Sequence, residues 1–332
     1  MSTCGNCDCA DKTQCVAITA KKRSSIPING GDAAAKVVAV SLVTPSRMRI
    51  GVMLSSLVPL QLPSRMQTHL WYILPNEVKS ESLLKHYTQL LSRSEKDSIF
   101  GMQSDELKMK NALLAGALVR TTVSRYQTNN NNNHTVIDPR SLKFKKNVYG
   151  KPEVDWEVDD TTTNHPKLQF NISHTDSLIA CGVTVNVPIG IDVEDKTRKM
   201  RHDVLSLAKR FYSSEEVKFL SSIADTESQR KEFVKLWTLK EAYVKALGKG
   251  FSASPFNTFS IIWSEAGGYS LRGKAEERVG GWKFRLLELA ADSSHYAAIC
   301  IGGEDEEEAM NVIVHRTIPF VEDELISDWK LL

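Results

Sequence analysis

The chain has 332 residues, 42% of them hydrophobic, with 42 Lys and Arg against 40 Asp and Glu for a net charge of +2. This is long enough for two modest domains and far too hydrophobic for a disordered chain. The near-neutral charge gives no reason to expect a nucleic-acid partner, and the absence of an eighteen-residue apolar run gives none to expect a membrane span.

Residues 1–66 form an extension with few aromatics and no helical or strand periodicity, and are expected to be poorly ordered. Four of the six cysteines, Cys4, Cys7, Cys9 and Cys15, crowd into its start, a thiol density suited to soft d10 cations. That segment resembles the N-terminal cysteine segment of plant metallothioneins, although no second cluster follows it. Cys181 and Cys300 stand in apolar runs and read as core residues of a reducing compartment, which excludes a disulfide-built fold. Arg47 to Arg65 carries arginines and serines but no acid, weakly like a mitochondrial targeting stretch. The expected location is therefore cytosolic, with mitochondrial as the alternative.

Order is expected from His69, with a strand over His69–Leu74 that Pro75 stops and a helix over about Glu81–Leu91. Ser94 opens another helical region, and Asp105–Tyr126 predicts a long helix with Leu107, Leu114, Leu118 and Val119 as its buried stripe. The polyasparagine tract Asn129–Asn133 reads as a solvated loop. Strands follow near 141–144, 168–172 and 178–185. The second half repeats the order, with a strand at 189–193, helices over about 203–211, 214–222 and 227–247, and strands near 258–263, 282–289, 295–301 and 311–315. An acidic loop, 302–308, separates the last two. The recurring order suggests an α+β fold of two related halves, each a mostly antiparallel sheet packed on a long helix. The divisions are 1–66 extension, 67–187 N-terminal half, 188–320 C-terminal half and 321–332 tail.

Four segments carry candidate chemistry. In Pro188-Ile-Gly-Ile-Asp-Val-Glu194, strand alternation puts Gly190, Asp192 and Glu194 on one face, the carboxylates about 7 Å apart along the strand. They could converge on a hard cation, with Gly190 leaving the face open to a ligand. A solvated edge strand shows the same pattern. On the predicted helix, Trp237, Glu241 and Lys245 recur every four residues beside an apolar stripe containing Phe233, Leu236, Lys240, Val244 and Leu247. Glu241 could be a third ligand and Lys245 a phosphate clamp, or the two a surface ion pair worth about 0.3–0.5 kcal/mol. Gly248 suits the left-handed position that ends such a helix. Ser173 and His174 end a strand and can offer a hydroxyl and an imidazole, and Gly150-Lys151-Pro152 makes a turn that holds a cation outward.

Taken in order, these segments, with Arg210-Phe-Tyr-Ser213-Ser-Glu-Glu216 between them, resemble the Sfp-type 4'-phosphopantetheinyl transferases over about residues 69–316. The resemblance implies a pseudodimer acting as a monomer, with the active site in the cleft between its halves. It implies transfer of the phosphopantetheine arm of coenzyme A to a serine of an apo acyl or peptidyl carrier protein, with Mg2+ as cofactor and 3',5'-ADP released. Asp192, Glu194 and Glu241 would hold Mg2+. Lys96, Lys151, Ser173, His174 and Lys245 would contact coenzyme A, and Glu241 or Glu194 would take the serine proton, with Lys245 stabilising the leaving phosphate. Glu216 also fits a capping box with Ser213. A noncatalytic coenzyme A-binding or thiol-metal-binding protein is the alternative.

Overall fold

A computed structural model describes residues 53–54, 57–102, 105–127, 136–155, 166–264, 268–273, 281–290, 292–303, 309–326 and 330–331. The cysteine cluster, the polyasparagine tract and the core of the acidic loop lie outside these residues.

Strand β1 (Gln67–Ile73) is followed by three helices, each started by a side-chain cap: α1 (Glu81–Leu90) by Ser80, α2 (Arg93–Phe100) by Ser92, and α3 (Glu106–Arg125) by Asp105. At α2 the cap is a full box of Ser92 and Glu95, so the helix starts at Arg93, one residue earlier than Ser94 suggests. Leu114, Leu118 and Val119 of α3 are buried as expected. Leu107 is 44% exposed, because burial along this helix begins only at Asn111. The stretch 141–144 is not a strand: Pro139 and the Asp138 cap wind a short turn, and β2 (Phe144–Lys146) begins later, paired with β3 (Pro152–Val154).

Strands β4 (Leu168–His174), β5 (Ile179–Val185) and β6 (Ile189–Asp195) follow, then α4 (Val204–Phe211), α5 (Ser214–Ser221) and α6 (Thr226–Leu247). The remaining strands are β7 (Phe259–Ser264), β8 (Gly268–Gly273), β9 (Trp282–Leu289), β10 (His295–Gly302), β11 (Asn311–Ile318), β12 (Glu322–Ile326) and β13 (Lys330–Leu331). They build a five-stranded sheet, β12-β11-β1-β5-β4, a four-stranded sheet, β13-β9-β10-β6, and two hairpins. The arrangement is α+β. β11 lies parallel to β1, Gln67 opposite Asn311, so the five-stranded sheet draws on both ends of the chain. Residues 322–326 and 330–331 are sheet strands. A parallel pairing closes over a long connection and leaves no short turn in the sequence to announce it.

Three cores result. One lies under α1 to α3, a second under α6, and a third between the two sheets, where Leu70, Tyr72, Ala180, Ile191 and Ile299 meet. Gly182 allows that third contact: a Cβ there would lie 2.7 Å from Ile191 and 2.9 Å from Ile189 side-chain carbons. The last part of the extension is also held down. The Leu60 amide donates to the Arg125 carbonyl at 2.8 Å, and Arg125 Nε donates to the Val58 carbonyl at 2.9 Å.

Candidate active site

The site is built where β6 lies on α6. Ile189, Ile191 and Val193 point into the core between the sheets, so alternation turns Gly190, Asp192 and Glu194 the other way, toward α6. Gly190 does not leave room for a ligand, contrary to the expectation above. A Cβ there would lie 2.0 Å from the Ala242 carbonyl oxygen and 2.2 Å from the Ala246 amide nitrogen. The helix backbone fills the space a side chain would need, and this close approach sets Asp192 beside Lys245.

Lys245 Nζ donates to Asp192 Oδ1 at 2.7 Å and to Ser173 Oγ at 2.9 Å; Ser173 Oγ donates to the same Asp192 oxygen at 2.9 Å. Asp192 is 6% exposed, and its Oδ2 is buried with no hydrogen-bond partner. Glu194 forms an ion pair with Arg198, whose guanidinium lies 5.6 Å from the Trp237 ring centre. Burial, with the Asp192 and Glu241 charges behind it, outweighs Arg198 and pushes Glu194 up to about 8. Burial and then the Asp192 charge push Glu241 up to about 7. The three carboxylates therefore lie within one another's fields. Among the described residues no three metal-ligating side chains form a ready-made shell. Asp192 leans on Lys245 and Ser173, and Glu194 on Arg198, so the cations now balancing these acids would have to let go for a metal to enter.

Two further β4 contacts fix this strand pair. β6 is an edge strand, and its outward N–H groups at Ile191 and Val193 donate to Asn171 Oδ1 at 2.8 Å and Ser173 Oγ at 3.3 Å. Asp192 is thus held between two anchored amides. His174 stands exposed at the end of β4, yet desolvation first and the Lys245 charge second hold its imidazole below the usual range.

Lys151 departs from expectation. Its ammonium turns inward, donating to the Ile189 carbonyl at 2.8 Å and the Ala246 carbonyl at 3.4 Å, and burial lowers it to about 8. Asn147 ties the same turn to α6 by donating to the Gly248 carbonyl at 2.8 Å, where Gly248 takes the expected left-handed conformation. Lys96 lies half-buried on α2, which packs against α3, and no described hydrogen bond or ion pair links it to the carboxylates. Glu216 completes the capping box with Ser213 and accepts from Lys240 Nζ at 2.7 and 2.8 Å and from the Ile261 amide at 2.9 Å. It caps α5 and pairs with Lys240, and no described hydrogen bond or ion pair joins it to Asp192. Sequence reasoning missed Arg198 and Asn171. The i,i+4 spacing of Glu194 and Arg198 was a signal for the first; nothing local distinguishes Asn171.

A family model for the 4'-phosphopantetheinyl transferase superfamily matches residues 188–300. The chain is 38% identical over 125 residues to 4'-phosphopantetheinyl transferase gsp of Aneurinibacillus migulanus, a match covering 38% of this chain and 46% of that relative. It is 30% identical over 226 residues to a 4'-phosphopantetheinyl transferase of Bacillus subtilis, covering 65% of this chain and 89% of the relative. With 4'-phosphopantetheinyl transferase Sfp of Bacillus subtilis (strain 168) it shares 32% over 207 residues, covering 62% and 80%. The chain spans under half of the first relative but most of the other two, and with these likenesses it belongs to the 4'-phosphopantetheinyl transferase superfamily.

Proposed function

We propose that the chain transfers the 4'-phosphopantetheine arm of coenzyme A to a serine of an apo acyl or peptidyl carrier protein, with Mg2+ as cofactor and 3',5'-ADP as the leaving group. One observation carries this beyond family membership: Asp192 keeps a buried, unpartnered oxygen beside two carboxylates, Glu194 and Glu241, whose ionisation burial suppresses. Such a set of hard oxygen donors, with one Asp192 oxygen unpartnered, fits a divalent cation, and Asp192, Glu194 and Glu241 would hold it. When bound, Mg2+ supplies neutralisation of the coenzyme A pyrophosphate.

The chain's own groups do the rest. Lys245, released from Asp192, offers its ammonium to a phosphate oxygen and stabilises the departing phosphate; Ser173 and His174 add a hydroxyl and an imidazole at the mouth. Lys96 lends positive charge from α2. Lys151 can reach the ligand only by leaving the Ile189 and Ala246 carbonyls, and meanwhile it holds the turn against α6. The carrier serine oxygen attacks the β-phosphorus, its bond to the leaving phosphate oxygen breaks, and the serine proton passes to a carboxylate. Glu194 is engaged by Arg198, which favours Glu241 as the base.

The two helix-on-sheet units are read as a pseudodimer with the site between them. Ser173 and Asp192, from opposite sides of the division at residue 188, already meet within one chain, which supports a monomer. We place it in the cytosol, with mitochondria as the alternative; no helix of the described residues is long and apolar enough to cross a membrane.

The test is incubation with coenzyme A, Mg2+ and a panel of apo carrier proteins, followed by intact mass spectrometry. The mass of the arm should appear on a carrier serine and disappear when the metal is chelated. Coenzyme A binding without transfer to any carrier would favour the noncatalytic reading instead.

A further inference from the structure

The turn after His174 is unusually well tied. The Thr175 amide donates to the Leu178 carbonyl at 2.8 Å, and Thr175 Oγ1 accepts from the Leu178 amide at 3.0 Å and the Ser177 amide at 3.3 Å. From the N-terminal half, Asn111 Nδ2 donates to the Asp176 carbonyl at 3.1 Å. From the C-terminal half comes His295, the first residue of β10 and only 3% exposed. Its Nε2 lies 2.9 Å from Ser177 Oγ and 3.2 Å from Thr175 Oγ1, and its Nδ1 lies 2.8 Å from Ser294 Oγ.

His295 also pairs across the sheet with Asp195, and its neighbour Tyr296 pairs with Glu194. A continuous set of contacts therefore runs from the carboxylate strand through β10 and His295 to the turn that begins at His174. A leucine could fill the same space. It could not hold three hydroxyls, and each of those, half-buried, would then lose this partner.

We infer that His295 is a positioning residue, which acts through the Thr175–Leu178 turn to fix His174 relative to Lys245 and Asp192 and so sets affinity for the phosphates of coenzyme A. The last step rests on the coenzyme A reading above; the placement of His174 does not. Burial, the main influence on the imidazole, favours its neutral form, which suits a residue whose work is hydrogen bonding.

The experiment has two arms on the full chain. In calorimetric titration with coenzyme A, His295→Ala should weaken binding roughly tenfold, as expected for the loss of one or two hydrogen bonds. His295→Gln, which keeps a polar nitrogen near the Nε2 position, should recover most of that loss. The double variant His174→Ala/His295→Ala should bind no more weakly than His174→Ala alone, because the second change acts only through the first. In the free protein, His295→Ala should move the His174 imidazole proton–carbon cross-peak and speed amide exchange at Ser177 and Leu178, and His295→Gln should return both toward wild type. Additive losses in the double variant, or an unmoved His174 cross-peak, overturn the inference. Failure of the wild-type protein to bind coenzyme A overturns the ligand reading, while the spectroscopic arm still decides the placement of His174. If His295→Ala does not fold, Ser177→Ala removes one hydroxyl, leaves the ring in place and is put through the same two arms.

Discussion

Helix α3 meets its sheet through Leu114, Ala117, Leu118 and Val123, all fully buried, whereas α6 meets β6 backbone to glycine and leaves Glu241 and Lys245 facing Asp192. Each helix also holds a buried cation in a net of acceptors. Arg120 of α3 donates to Glu95 and to the Pro139 and Leu142 carbonyls; Lys240 of α6 donates to Glu216 and the Phe259 carbonyl. The scaffolds are thus alike in kind and differ at the contact itself. Bulky side chains hold α3 off its sheet and make a core. A single glycine draws α6 inward until polar side chains at the margin of the contact share one small space.

Replacing the glycine on each side should give the largest contrast. Gly190→Ala drives a methyl to within 2.2 Å of two α6 backbone atoms, which cannot move without separating helix from strand. Loss of soluble folded protein, or destabilisation by more than about 3 kcal/mol in urea, is expected. Gly116→Ala on α3 meets only the Leu91 Cδ2 methyl, at 2.6 Å. A rotamer change relieves that clash, and the roughly 1 kcal/mol helix preference of Ala over Gly offsets its cost. Equal losses in the two variants would show that the close approach of α6 is not what organises the site.

Next in size is Asp192→Asn. It keeps the shape of the side chain but removes a proposed metal ligand, so transfer should fall by about a thousandfold, roughly 4 kcal/mol in the barrier, while the melting temperature falls only modestly, because loss of the Lys245 pair is offset by relief of the Asp192 repulsion on Glu194 and Glu241. Truncation on the other side, Leu118→Ala, should do the opposite, costing about 2–5 kcal/mol of stability. Full transfer activity in Asp192→Asn would refute the metal assignment.

Much of this was legible from spacing. Period-two alternation put Asp192 and Glu194 on the face away from Ile191, and period-four recurrence put Glu241 in line with Lys245, because both patterns follow from backbone geometry alone. The direction of Lys151 was not legible. A turn fixes where a side chain starts, but the carbonyls it reaches, those of Ile189 and Ala246, decide where it ends. The role of Gly190 was misread for a related reason: a missing side chain looks the same in sequence whether a ligand or a helix fills the space. The pairing of β11 with β1 joins residues as distant in sequence as Gln67 and Asn311, beyond any local pattern.

A third comparison concerns the buried cations. Lys240 is fully buried, and burial lowers its ammonium to about 8 despite Glu216. Lys240→Met fills the space but strands Glu216, so a loss of about 3 kcal/mol is expected from chemical denaturation, partly recovered in the double variant Lys240→Met/Glu216→Gln. Simple additivity of the two changes would mean that the pair does not act as a unit.

The smallest effect separates the five-stranded sheet from the α6 site by the sign of their pH response. His69 of β1 and His315 of β11 are both lowered to about 4, chiefly by burial, and His315 stacks on Trp71 with ring centres 4.0 Å apart. Around them lie Gln67, the Tyr126 hydroxyl, the Arg125 guanidinium and the Asp323 carboxylate. Between the usual imidazole value of about 6.5 and the folded value, the unfolded chain binds more protons than the folded one. The stability these histidines confer is therefore complete above pH 6.5 and falls as pH drops through the folded value near 4. The raised carboxylates Glu194 and Glu241 act in reverse: their contribution is present at low pH and is lost as pH rises through about 7 and 8. From pH 6.5 to 5 each histidine should cost on the order of 1 kcal/mol. His315→Phe keeps an aromatic face for Trp71 and removes one titration, so its melting temperature should fall less than that of wild type over this interval. An identical pH slope in the two proteins would show that the acid sensitivity of the α3 side comes from groups other than this histidine.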